Sequence, residues 1–259
     1  MKLKTTKYKI FLLTLIASVI INVNSELRAE TTESSVKISF DQNPIFGFAP
    51  SIELNYPITN NIDFVPYVQY WGNLADNDTI GYTYPGMEFG LGLNFKLIDQ
   101  NLNILTSLGI FSGNSYSGGG RFVIFDAIVP IIKANYKIND KLSADIFARA
   151  WLQGRTVSNR RYAFDDGEIN VFLNYKINQK FDLGFFYFQY LVNKKNQIEN
   201  TSNFYTGTVA IGPTFTFNSK NLKLMVGYGV DIVDYLYTNI DDENKVLKDF
   251  YTIKANFNL

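Results

Sequence analysis

From Val36 onward, apolar and polar residues alternate in runs of about ten, broken by short polar segments. An alternation of period two is the mark of a β-strand whose two faces differ. The run Met87–Leu97 shows it most cleanly. Met87, Phe89, Leu91, Leu93, Phe95 and Leu97 fall on one face, and Glu88, Gly90, Gly92, Asn94 and Lys96 on the other. The same pattern predicts twelve strands. They are Val36–Phe40, Ile45–Tyr56, Ile62–Trp71, Met87–Leu97, Leu102–Phe111, Phe122–Lys137, Leu142–Arg155, Glu168–Ile177, Phe181–Val192, Phe204–Phe217, Leu222–Tyr235 and Lys248–Leu259.

A short tag, Asn followed by an aromatic, recurs about every 40 residues. It reads Asn55-Tyr56, Asn94-Phe95, Asn135-Tyr136, Asn174-Tyr175 and Asn256-Phe257, with a degenerate copy at Thr216-Phe217-Asn218. Most copies precede a tight polar turn, so the repeating unit is a β-hairpin. So many strands on one chain close into a barrel, which removes their edges.

The connections alternate in length. Pro57–Asn61, Ile98–Asn101, Asn139-Asp140, Asn178–Lys180 and Asn218–Asn221 are short and rich in Asn and Asp, as tight hairpins require. Asp41–Pro44 is a short first loop; Gly72–Pro85, Ser112–Gly120, Arg155–Gly167, Asn193–Asn203 and Tyr237–Leu247 are longer. Outer-membrane barrels segregate short periplasmic turns from long external loops in this way. A soluble sandwich, the alternative for so apolar a chain, has no reason to. The expected fold class is all-β: an antiparallel transmembrane β-barrel of about 12 strands, with short periplasmic turns and longer external loops. An even strand number puts both termini in the periplasm.

Composition sharpens this picture. After residue 30 no run approaches the ~20 apolar residues of a transmembrane helix. Residues 1–29 read as a signal peptide: Lys2, Lys4, Lys7 and Lys9 precede the apolar stretch Ile10–Ile21, with cleavage after Ser25 or after Ala29. A short membrane anchor is the alternative. Residues 30–259 are then the barrel, expected in the outer membrane of a Gram-negative cell. Cleavage after Ala29 leaves 19 basic and 23 acidic residues, a net charge of −4. No basic patch points to nucleic acid. There is no Cys, hence no disulfide, thiolate site or lipid-attachment cysteine.

There is also no His, which removes Ser–His hydrolysis and His-based metal sites. No enzyme activity and no cofactor are expected. Asp165-Asp166 with Glu168 is an acidic cluster able to hold Ca²⁺ weakly. A solvated loop, paired with Arg160 and Arg161, is the favoured reading. The glycine-rich Ser117–Gly120 lacks the Lys and the following helix of a phosphate cradle.

Lipid must take the apolar face of each strand, because Lys or Arg at the midplane costs about 2–4 kcal/mol. The polar face is then the lumen. Parity puts Glu53, Asp63, Glu88, Asp145, Glu168, Asp182 and Asp231 inside, with Lys37, Lys96, Lys133, Lys137, Arg149, Arg155, Lys176, Lys223 and Lys254. The balance names neither a cation nor an anion channel. Leu142–Arg155 is the richest strand, lining the interior with Ser143, Asp145, Phe147, Arg149, Trp151, Gln153 and Arg155. The selectivity candidates are Glu53, Glu88, Asp145, Arg149, Trp151, Arg155 and Glu168. Arg149 is either a mid-pore cation or half of a structural ion pair with Glu88, Glu53 or Asp145. Trp71 and Trp151 either stack on a ligand or cap the lumen. Gly90, Gly92, Gly109, Ala210, Gly212, Gly227 and Gly229 share lumen parity, and either widen the bore or make room for packing. In Phe122–Lys137, Asp126 falls opposite Lys133, Asn135 and Lys137. A bulge near Pro130 would restore it to the lumen; otherwise it sits at the membrane rim.

Two resemblances follow from particular residues. The last strand alternates Tyr251, Ile253, Ala255, Phe257 and Leu259, similar to the terminal signal read by the barrel-assembly machinery, though ending on Leu rather than an aromatic. The stretches Met87–Leu93, Ser107–Gly113 and Asp126–Pro130 resemble a family of uncharacterised proteobacterial outer-membrane β-barrel proteins, small and porin-like, of similar length. The resemblance implies a barrel and brings no catalytic residues. The expected function is porin-like: passive diffusion of small polar solutes or ions. The alternative is a closed structural or surface-interaction barrel acting through external loops such as Tyr82-Thr83-Tyr84 and Arg155–Tyr162. Expected partners are the lipid bilayer, the barrel-assembly machinery and small polar solutes.

Overall fold

A computed structural model describes residues 34–71, 86–98, 101–113, 123–153, 162–196, 201–233 and 248–259. The signal segment, Arg155, Arg160-Arg161, Ser117–Gly120 and Tyr82-Thr83-Tyr84 lie outside these residues. The strands are β1 (Ser35–Asn43), β2 (Gly47–Thr59), β3 (Ile62–Trp71), β4 (Gly86–Leu97), β5 (Leu102–Gly113), β6 (Val123–Lys137), β7 (Leu142–Gln153), β8 (Tyr162–Lys176), β9 (Phe181–Asn196), β10 (Thr201–Asn218), β11 (Leu222–Asp231) and β12 (Lys248–Asn258). Each pairs antiparallel with its sequence neighbours. β1 closes on β12, with Ile38 opposite Phe257, to give a closed twelve-stranded barrel.

The short connections gather at one end, here the turn end. Their Asn residues build the turns: Asn139 Oδ1 accepts the Lys141 and Leu142 N–H groups, both at 2.9 Å, and Asn178 Oδ1 those of Lys180 and Phe181 at 2.8 and 3.0 Å. The Asp140 side chain accepts from Lys137 at 3.0 Å; this hydrogen bond and the Lys137 charge hold its carboxyl below the usual carboxylate range.

The exterior is an apolar belt. Leu91 and Leu108 are each 60% exposed, and Phe185, Phe215, Ile132 and Tyr228 also point outward. The inward positions between them carry the polar side chains, Glu88 being 0% exposed. A closed barrel with lipid-like solvent outside and polar groups within satisfies every strand edge without water, the condition for spanning a bilayer.

Three expectations are corrected. First, Ile45 and Phe46 are not strand residues: they form a tight turn between β1 and β2 at the loop end, in which Asn43 Oδ1 accepts both their N–H groups at 2.9 Å. Gly47 follows at φ 64°, the left-handed position that closes a three-residue hairpin. Second, β8, β9 and β10 run further toward the loop end than their apolar alternation suggested, so Asp165-Asp166, expected in the loop before Glu168, lie within β8. Third, the irregularity in β6 is not at Pro130, which keeps its register opposite Leu108. The register shifts between Phe111 and Gly113, opposite residues 123–127, and there Asp126 and Ala127 are both fully buried.

Candidate functional site

The recurring Asn–aromatic tag has a structural reason. On β2, β4, β6, β8 and β12 it puts the Asn inside and the aromatic outside, near the turn end. Tyr56, Tyr136 and Tyr175 are exposed on the outer surface, where amphipathic rings suit the edge of a bilayer. Inside, the carboxamides bind carboxylates on neighbouring strands. Asn94 donates to Asp63 (3.0 Å), Asn135 and Asn174 to the two oxygens of Asp145 (3.0 Å from Asn174), and Asn218 to Asp182 (2.8 Å). Lys96 pairs with Asp63 at 2.7 Å, and Lys223 lies 3.9 Å from Asp145. Ser39 donates to Asn256 at 2.8 Å. Together they form a polar ring at the mouth of the barrel.

Further in, Glu53 is held by Lys133 and by Lys37 at 3.6 Å. Next comes Arg149, 7% exposed. Its Nη1 donates to Gln69 Oε1 at 2.9 Å and to Glu88 Oε2 at 3.3 Å, and its Nε lies 3.6 Å from Glu168 Oε1. Tyr67 donates its hydroxyl to the other Glu88 oxygen at 2.8 Å. The guanidinium also lies over Trp71, Phe147 and Trp151, at 4.6, 4.7 and 5.2 Å from the ring centroids. Such contacts are worth about 0.5–2 kcal/mol each, so they help offset the cost of burying the cation.

Above Arg149 the lumen is roofed by rings. Phe46, on the inward β1–β2 turn, packs on Trp71 and Trp151 (both 5.3 Å), Tyr190 (5.4 Å) and Phe188 (6.2 Å). Trp71 meets Trp151 edge-on at 5.5 Å. Tyr190 donates to Asp166 at 2.7 Å. Two lumen glycines seat a ring: a methyl on Gly90 or Gly109 would fall 2.2 or 2.4 Å from Tyr67, whereas one on Gly212 would first meet the backbone of β11, 2.3 Å from the Tyr228 carbonyl oxygen.

Between the roof and the polar ring lies a cavity of about 460 Å³, lined among others by Lys37, Glu53, Lys133, Asp145, Arg149 and Glu168. Of the sequence candidates, Glu88, Arg149 and Glu168 thus meet in one cluster, with Trp151 stacked above it. Glu53 and Asp145 belong to two separate clusters nearer the turn end, and Arg155 is outside the described residues. Sequence reasoning missed Phe46, Tyr67 and Gln69, and it read Asp166 as a loop residue when it lies in β8. Tyr67 and Gln69 share the parity of Asp63 and Trp71 on β3, so counting by two would have found them; Asn43-Pro44 before Gly47 was the turn signal for Phe46.

The fold and its outward apolar belt define a transmembrane β-barrel. The chain belongs to DUF6733, a family of unknown function whose pattern spans residues 1–259. None of the curated proteins matches it. In fold it is similar to the COG4313 outer membrane channel from Pseudomonas putida F1, with a TM-score of 0.58 and 10% identity over 91% of this chain and 98% of that one. The KdgM porin (TM-score 0.44, 12% identity, 86% and 98% covered) and the NanC porin (0.45, 12%, 86% and 100%) are also similar.

Proposed function

We propose that the protein is a narrow channel of the Gram-negative outer membrane, passing small polar solutes or ions by passive diffusion. The cavity of about 460 Å³, which continues the polar ring inward as far as Arg149, carries this reading. A barrel kept only for its shape has no need of a charged hollow. Residues 1–29 serve as the export signal, residues 30–259 form the barrel, and the barrel-assembly machinery reads the last strand. The polar ring is the periplasmic mouth. The protein catalyses nothing and uses no cofactor. Its likeness in fold to the Pseudomonas putida channel supports the same reading. Selectivity arises at Glu88, Arg149 and Glu168 through local field and size, with Glu53, Asp145 and Trp151 along the path; Arg155, a candidate by sequence parity, lies outside the described residues.

The packed rings above Arg149 favour a second reading, a closed barrel acting through its external loops. Bilayer recordings across a salt gradient separate the two. Arg149→Ala removes the cation held between Glu88 and Glu168 and leaves both carboxylates. Its reversal potential should move toward cation selectivity, with a loss of stability of about 3–5 kcal/mol. An unchanged reversal potential would remove Arg149 from the filter.

A further inference from the structure

The cavity wall is chemically divided. Along β8, β9, β11 and β12 it presents Phe172, Phe186, Phe188, Met225 and Phe250, part of one contiguous apolar cluster. Phe250 lies 5.8 Å from Phe186 and 4.9 Å from Phe188. A path for freely hydrated ions gains nothing from such a surface. Beside it stands Lys254, whose Nζ sits 4.6 Å over the Phe172 ring. The other lysines on the cavity wall are engaged: Lys37 and Lys133 with Glu53, and Lys223 beside Asp145. Lys254 stands opposite Asp41 in the β1–β12 register and its charge reaches Glu168, but among the described residues neither carboxylate closes an ion pair with it. A cation on the rim of an apolar wall, in a cavity of ligand-binding size, is the arrangement that takes a molecule with an apolar body and one negative group.

We infer that the cavity binds small monocarboxylates carrying an apolar body, the carboxylate at Lys254 and the body against Phe172, Phe186 and Phe250. The site deepens the channel reading and rests on it: it names the solute class that would dwell in the lumen. Fatty and aromatic acids share this chemistry, so both are probed.

Trp71 and Trp151, the two tryptophans of the chain, sit at the roof of this cavity and report its occupancy. The full barrel, refolded into nanodiscs of zwitterionic lipid, is titrated with hexanoate, benzoate, acetate and hexanol while tryptophan emission is followed. Hexanoate, benzoate or both should saturate; the pair shows whether a chain or a ring fits. Acetate should need at least about tenfold more, since it lacks the methylenes that the rings cover. Hexanol should also need about tenfold more, since it lacks the charge-assisted bond. Lys254→Met should raise half-saturation for the acids about tenfold and leave hexanol unchanged. Acetate matching hexanoate, hexanol matching hexanoate, or no saturable change with either acid would overturn the site, and the wild-type comparison holds even if the variant fails to fold. Failure of the channel reading looks different: a barrel silent in bilayers that still binds hexanoate keeps the site, and a conducting barrel that binds neither acid loses only the site.

Discussion

At Gly229 an added methyl would fall 2.0 Å from the Ile211 carbonyl oxygen and 2.8 Å from the Gly212 Cα. Both are backbone atoms and cannot swing away, so β10 and β11 would have to part. Gly229→Ala should therefore cost about 1–3 kcal/mol, seen as a lower temperature for loss of the compact, heat-modifiable band. Gly90→Ala meets the movable Tyr67 ring instead. It should shift melting less and disturb the Tyr67–Glu88 hydrogen bond. At this scale much was legible. Parity alone assigned Glu88, Arg149 and Glu168 to the interior, because a charge facing lipid is costly. Parity says nothing of height along the barrel or of reach across it, so it did not say that Arg149 would engage Glu88 and Glu168 while Glu53 turned to Lys37 and Lys133. Tyr67 and Gln69 share the lumen parity of Asp63 and Trp71 and were passed over because neither side chain carries a charge to draw the eye.

Among the elements, strands inside the apolar belt were legible and their extensions were not. Above the belt a strand no longer faces lipid, so alternation fades although backbone pairing continues. β8 illustrates this. Asp165-Asp166-Gly167 has the composition of a loop, yet Asp166 pairs in register with Val192 of β9 and accepts the Tyr190 hydroxyl. The β1–β2 turn was hidden differently, since apolar Ile45 and Phe46 read as the start of a strand. That turn has a consequence for transport. Phe46 is the ring that joins the two apolar clusters of the lumen, touching Trp71 and Trp151 on one side and Phe188 and Tyr190 on the other. Phe46→Ala should open the roof and raise single-channel conductance in planar bilayers relative to the native barrel. Equal conductance in the two proteins would show that the roof does not limit the path.

As a whole molecule, the barrel joins an exterior made for lipid to an interior graded from a carboxamide ring, through paired charges, to an aromatic roof. The exterior and the strand count were readable because lipid imposes a strict alternation and closure imposes pairing. The state of the lumen was not, because glycines that widen a bore and glycines that seat rings look alike in sequence. The most direct measurement is single-channel conductance of the refolded, heat-modifiable protein in a planar bilayer across a salt gradient. Steady small steps with a defined reversal potential are expected of a narrow charged lumen. A demonstrably folded barrel that stays silent would contradict the channel and move the search for its function to the external loops.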